Sequence, residues 1–341
     1  RNIERGEFGL SYAPALQVDV FQDGLKNRER TIYFNLPVRK TLGGKFEADV
    51  TLEGNATRFS PKADEVIKSS YFSIAPSLLV KTANMYVQAG LRPSWDNGEF
   101  NLLPNILVEA SSTNKQVTLM GGWIGYLKPN SFQSFAQFNP YIWTPHFINN
   151  ARTEEIYVGI KGALSDHLSY NVKGGLNKFS NHPLFKNDTA SGKSFLVMNK
   201  PNLKAMNFTG EIGYTVGEQF SLRSRLELNR YLDLKEFDKA WGLLPLQWTT
   251  ALRLQVLKDL YVRSDLFAFH GSPFQTKLDG TGRTEGGVDL SAGLEFSVVK
   301  NVKLWAQFNN IFGKEYQRWQ QYPTYGFNFL GGVVFSFAKS N

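Results

Sequence analysis

The sequence predicts an all-β fold, a transmembrane antiparallel β-barrel of about 16 strands, with fourteen as the lower count. Three observations predict it. Apolar and polar residues alternate with a period of two along nearly the whole chain. Short turns alternate with long links, the pattern of short periplasmic turns and long extracellular loops. No run of about 18 apolar residues exists, so a transmembrane helix is excluded.

The strands fall near 7–21, 29–39, 44–57, 69–81, 84–95, 99–111, 115–126 and 154–164. They continue near 167–178, 202–216, 219–231, 246–257, 260–270, 286–298, 301–312 and 326–338. Pro14 interrupts the first. The clearest is KFEADVTLEGNAT, with Phe46, Ala48, Val50, Leu52, Gly54 and Ala56 on one face and Lys45, Glu47, Asp49, Thr51, Glu53 and Asn55 on the other. Alternation of that length suits a tilted span, which needs about 9–11 residues. Tight turns fall near 41–44, 81–84, 112–114, 165–167, 217–219, 258–259 and 300–301. Long links cover about 127–154, 178–201, 233–245 and 271–285. With that polarity, Trp95, Phe100, Trp123 and Trp248 reach the outer end of the apolar face, where an aromatic girdle belongs. The segment FNFLGGVVFSF, with Phe329, Phe335 and Phe337, supplies the closing strand.

Composition narrows the function. The chain has 341 residues and no cysteine, which removes disulfides, thiol catalysis and cysteine-ligated metal centres. Its net charge of +8 is scattered along alternating segments, with no basic helix or nucleic-acid motif, so no nucleic-acid partner is expected. Aromatics at 14% with weak mean hydropathy suit a membrane barrel, in which every second strand residue faces lipid.

The ending NNIFGKEYQRWQQYPTYGFNFLGGVVFSF resembles the last hairpin of TonB-dependent receptor barrels, especially those of Bacteroidota. The matching residues are Asn310, Ile311, Phe312, Lys314, Tyr316, Trp319, Tyr322, Pro323, Gly331, Gly332 and Phe337. The resemblance covers about 30 residues. It implies a Gram-negative outer membrane, and a plug domain ahead of a barrel of 22 strands. This sequence leaves no room for a plug before its first strand, so 1–341 reads as a single barrel domain: a plug-less relative or a fragment of a receptor. The final strand also resembles the signal read by barrel-assembly machinery, extended by Ala338–Asn341.

Candidate site residues follow from this frame. Arg223, Arg225 and Glu227 share a predicted lumen face with Arg253, Arg263 and Asp265. Such charges tune solute selectivity, or they pair across neighbouring strands and fill the interior; the mixed signs favour pairing. The loop NSFQSFAQFNPYIWTPHFINN carries Phe132, Phe135, Phe138, Tyr141, Trp143 and Phe147. It could constrict the lumen, pack over the rim or dock a partner. Asp188-Thr189-Ala190 matches a short O-glycosylation pattern of Bacteroidota, making Thr189 a glycan candidate. His146, His167, His182 and His270 show no metal-ligand spacing, and the Asp166-His167 dyad falls in a short turn without a cleft. No enzyme activity and no cofactor are expected. The function expected is an accessory subunit of an outer-membrane complex, with lipid and other outer-membrane proteins or lipoproteins as partners; the alternatives are a solute channel or the barrel part of a receptor.

Overall fold

The computed structural model describes residues 9–232, 234, 238–276 and 280–337. The expected Ala338–Asn341 extension, the first two residues of the first expected strand and parts of the 233–245 and 271–285 links lie outside the described residues.

The wall opens with β1 (Leu10–Tyr12) and β2 (Ala15–Gln22), which both pair antiparallel with β3 (Arg28–Gly43). They are one strand broken at Ala13–Pro14, because proline cannot donate to the ladder. It continues with β4 (Phe46–Ser60), β5 (Ile67–Lys81), β6 (Met85–Asp96), β7 (Glu99–Ser111) and β8 (Thr118–Lys128). Helix α1 (Phe132–Phe138) precedes β9 (Ala151–Ala163) and β10 (Leu168–Ser180). A separate hairpin, β11 (His182–Asn187) and β12 (Phe195–Lys200), stands before β13 (Leu203–Val216), β14 (Phe220–Leu232), β15 (Leu246–Leu257) and β16 (Leu260–His270). A short pair, β17 (Pro273–Gln275) and β18 (Thr281–Arg283), precedes β19 (Gly287–Val299) and β20 (Val302–Asn309). Another, β21 (Gln317–Trp319) and β22 (Tyr322–Pro323), precedes the final strand β23 (Asn328–Phe335).

Counting β1 and β2 as one, the wall has sixteen strands in sequence order, each antiparallel to the next. Most predicted bounds hold to within a few residues. β20 stops earlier than expected because Asn310 turns to φ 47° and its side chain donates to the carbonyls of Lys314 and Tyr325. Phe337 lies past the end of β23 and is 97% exposed. The 96–99 connection is a two-residue hairpin, with Asn97 at φ 48° and Gly98 at φ 90°, the positive-φ pair that an antiparallel twist favours.

One face of the wall is apolar and exposed, including Leu91, Trp95, Phe100, Trp123, Ile156, Leu176 and Trp248. An apolar surface this extensive belongs against lipid, not water. The opposite face carries polar residues that bond to each other across strands: Ser73 to Ser94, Asn105 to Ser77, and Tyr71 to Glu53. The β5–β6 ladder breaks between Ser73↔Ser94 and Ser77↔Gly90, where Pro76 and Pro93 each lack an N–H.

Among the described residues, β2 has a wall partner only in β3, and β23 only in β20. Most residues of both strands are exposed, with Phe21 of β2 partly buried. Among the described residues no pairing joins β23 to the first strand. An unpaired edge in hydrocarbon costs several kcal/mol per backbone group.

Candidate site at the loop end of the barrel

Described residues of several long links meet in one cluster. Sequence analysis assigned 127–154 to loop, but it contains α1. Phe132, Phe135 and Phe138 recur every three residues, a helical spacing, and Ser131 caps the start by accepting from the Ser134 amide. That spacing and cap were the signal available. Pro140, one residue past the C-cap Asn139, keeps the helix short.

The helix bridges the ends of the first strands and the later loops. On one side Phe132 packs on Phe21 and Phe59, with ring centroids 5.8 and 4.7 Å apart. Phe21, Glu29 and Phe59 are register partners on β2, β3 and β4, so this is the polar-face end of the first strands. Glu29, 1% exposed, accepts hydrogen bonds from the backbone N–H groups of Phe132 (2.6 Å) and Gln133 (3.1 Å). On the other side Phe138 meets Phe185 at 4.9 Å and Trp319 at 5.6 Å, and Phe195 meets Trp319 at 5.2 Å. One buried cluster thus joins the first strands, α1, the β11–β12 hairpin and the β21–β22 loop. Tyr141 stacks on Tyr322, and the 141–143 segment bonds to Phe195, with the Trp143 amide donating to its carbonyl at 2.9 Å.

The six aromatics of the expected loop therefore divide. Phe132 and Phe135 are buried, and Tyr141 is half-buried against Tyr322. Phe138, Trp143 and Phe147 remain about half exposed. Trp143 and Phe147 form one side of a groove of about 580 Å³, with Leu196 and Met198 opposite and Lys186 and Asp188 at its edge. Thr189 is exposed beside it. Asp188 accepts from the amides and hydroxyls of Ser191 and Ser194, and closes that turn. Burial raises its pKa, but these bonds outweigh burial and hold the carboxyl below the usual range.

Arg318 was missed, because nothing in QRWQQYP marks it. Its guanidinium lies 4.2 Å from the Trp319 ring and 5.6 Å from Phe138, and donates to the Gly242 carbonyl at 2.8 Å. Among the described residues it has no carboxylate within ion-pair distance. Burial lowers its pKa to about 10, with Tyr231 opposing the shift, so it stays charged at neutral pH. Gly242 is required there: its φ is 74°, and an added Cβ would lie 2.7 Å from Trp319 and 3.0 Å from Phe185.

The six predicted lumen charges lie on the polar face of β14, β15 and β16. Arg225 bridges Glu227 (2.5 Å) and Glu211 (3.7 Å), and Arg223 approaches Glu211 at 3.6 Å. Arg263 pairs with Glu295 at 2.8 Å, and Arg253 covers the Tyr261 ring at 4.7 Å. Asp265 lines a recess of about 510 Å³ with Arg223 and Arg225. The far wall is similar, with Arg39–Asp49, Arg92–Glu53 and Lys173–Glu155 pairs. Each exposed pair contributes at most about 1 kcal/mol.

The histidines lie apart. His167 bonds the Thr215 carbonyl through Nδ1, and His146 approaches Asp64 at 3.4 Å. No cluster among the described residues could hold a metal ion. His182 sits 4.6 Å from Phe179, and burial, then Lys128, lowers its pKa from 6.5 to about 4. Between those values the opened hairpin binds a proton that the closed one does not. Closure of β11–β12 is therefore expected to weaken by about 1.4 kcal/mol per pH unit as pH falls from 6.5 to 4. Hydrogen exchange at 195–200, corrected for intrinsic rates, checks this; protection equal at pH 7 and 4.5 would refute it.

No protein-family model and no curated protein matches the sequence. Solved structures match the fold. The ferric enterobactin receptor PfeA of Pseudomonas aeruginosa, as a point mutant, superposes with a TM-score of 0.67 at 13% identity, over 98% of this chain and 60% of its own. The siderophore receptor PirA of Acinetobacter baumannii gives 0.68 at 12%, over 98% and 61%. The FrpB iron transporter of Neisseria meningitidis gives 0.64 at 11%, over 96% and 59%. The chain thus spans about three fifths of each, and at these identities the likeness is one of fold: a large antiparallel β-barrel.

Proposed function

We propose that this chain forms barrel wall of an uptake receptor in a Gram-negative outer membrane, of the Bacteroidota type its last hairpin resembles, and that the loop cluster is where it captures an anionic solute. The observation that carries this is Arg318: a largely buried cation without a carboxylate partner among the described residues, roofed by Trp319 and Phe138. Buried charge is costly unless paired, and a bound anion would supply the missing partner. The loop cluster packed at one end of the wall argues against a passive pore, and ion pairing of the wall charges argues against a charged selectivity path. The two open sheet edges are best completed by further strands of a longer chain, as in the receptors named above.

The test uses the full-length native protein and ferric enterobactin, an anionic chelate, as the probe. Saturable quenching of tryptophan fluorescence is expected, with Arg318→Met weakening it about 10-fold or more, the loss of one charge-assisted bond. Absence of saturable quenching, together with a large steady conductance in planar bilayers, would overturn the reading in favour of a channel.

A second reading, an accessory subunit, is favoured by the exposed Phe138, Trp143 and Phe147, since aromatics of this kind anchor interfaces. Stoichiometric lipoproteins in the native mass of gently extracted protein would support it over capture.

A further inference from the structure

The polar face of β14, β15, β16 and β19 holds a recess of about 510 Å³. Register fixes its plan. One row across the four strands is Arg223, Ala251, Asp265 and Ser291, and the next towards the loops is Arg225, Thr249, Phe267 and Asp289. Two guanidiniums therefore stand on one side and two carboxylates on the other, with the short side chains of Ala251 and Thr249 between them. The opposed groups do not pair. Arg225 is held by Glu227 and Glu211, and Arg223 lies 3.6 Å from Glu211, on the strand beyond. The Arg223 side chain is 76% exposed and makes no hydrogen bond among the described residues, so its N–H donors can take another acceptor. Among the same residues Asp265 has no ion-pair partner. The cation two positions before it, Arg263, is taken by Glu295 at 2.8 Å, and Arg253 of β15 covers the Tyr261 ring. Asp289 accepts from the hydroxyls of Tyr316 at 2.9 Å and Ser291 at 3.3 Å, neither of which neutralises it.

We propose that this recess binds a small zwitterion, a solute with a carboxylate at one end and an ammonium at the other. The carboxylate takes the Arg223 guanidinium, whose fork geometry suits it, and the ammonium takes Asp265 and Asp289. Neighbouring strands lie about 4.8 Å apart, so the backbones of β14 and β16 are about 10 Å apart. Charged groups reaching in from both sides leave a gap that one such molecule bridges. Phe267, beside Asp289, offers an apolar surface to the rest of the solute. A purely anionic solute would face Asp265 and Asp289, and a purely cationic one the two arginines, so mixed signs here select for a dipole. The recess shares no residue with the loop cluster, and adds a second class of solute to the anion proposed above.

Saturation-transfer NMR of the full chain in non-ionic detergent tests it, with glycylglycine as the zwitterion. N-acetylglycylglycine, which lacks the ammonium, and glycylglycinamide, which lacks the carboxylate, are the single-charge probes. Saturable transfer to glycylglycine is expected at a concentration about 10-fold or more below that needed for either analogue, since each analogue loses one charge-assisted bond. Asp265→Asn should erase the advantage over the acetylated probe, and Arg223→Gln the advantage over the amide. Both side chains are exposed, so neither substitution disturbs the packing of the wall. Equal binding of the three probes, or an advantage that survives both variants, overturns the site. Absence of saturable transfer overturns it too, and would mean that Arg223 turns to Asp265 in solution and closes the recess.

Discussion

Replacing Trp319 with alanine is expected to release the loop cluster while leaving the wall folded. The indole is 6% exposed and contacts Phe138, Phe185, Phe195 and the Arg318 guanidinium. Truncating a buried aromatic of this size costs about 3–5 kcal/mol, because the cavity closes only partly. That loss falls on contacts between loops, not on the strand ladders, so it should appear as local opening. Limited proteolysis reads it directly: cleavage within 131–149 and 182–200 should rise by two orders of magnitude or more, with the wall staying protease-resistant. Unchanged cleavage would show that the cluster does not hold the loops. Trp319→Phe keeps most of the contact and should lie between.

Glu29→Ala is the second large effect. The carboxylate is buried between Phe21 and Phe59 and accepts from the amides of Phe132 and Gln133. Alanine leaves both donors without a partner, at about 1–3 kcal/mol for each buried unmade bond. The start of α1 should then detach from the first strands, and hydrogen exchange at 132–138 should accelerate by at least 10-fold. Glu29→Gln keeps one acceptor oxygen and should lose about half of the effect. Equal exchange in wild type and Glu29→Ala would mean that Phe132 packing alone seats the helix. The two variants probe opposite ends of one bridge: Glu29 fixes α1 to the first strands, and Trp319 fixes it to the later loops.

Much of the wall was legible because a lipid-facing strand is a local code. KFEADVTLEGNAT places its apolar set on one face whatever the rest of the chain does, and β4 (Phe46–Ser60) follows it closely. Even the break at Pro14 was readable, since the missing N–H is a property of that residue. The site was less legible. The wall charges Arg225 and Arg263 could be placed on a face, but their partners Glu211 and Glu295 depend on which strand lies alongside. Helix α1 left a readable trace in its three-residue phenylalanine spacing and Ser131 cap, hidden inside a link that the surrounding alternation made look like loop.

The sequence by itself determined the strand count, the apolar face and the side on which the long links lie, because period, turn residues and proline act within a few residues of where they occur. The tertiary structure alone decided that Phe59, Phe135, Phe185 and Trp319 form one cluster, that Glu29 receives the helix start, and that Arg318 lies half-buried without a carboxylate partner among the described residues. Among the described residues it pairs β2 with β3 and β23 with β20, and joins neither to the other. These contacts join segments far apart in the chain, from Phe59 to Trp319. No local pattern encodes them, since their energy exists only after the wall has brought the loops together.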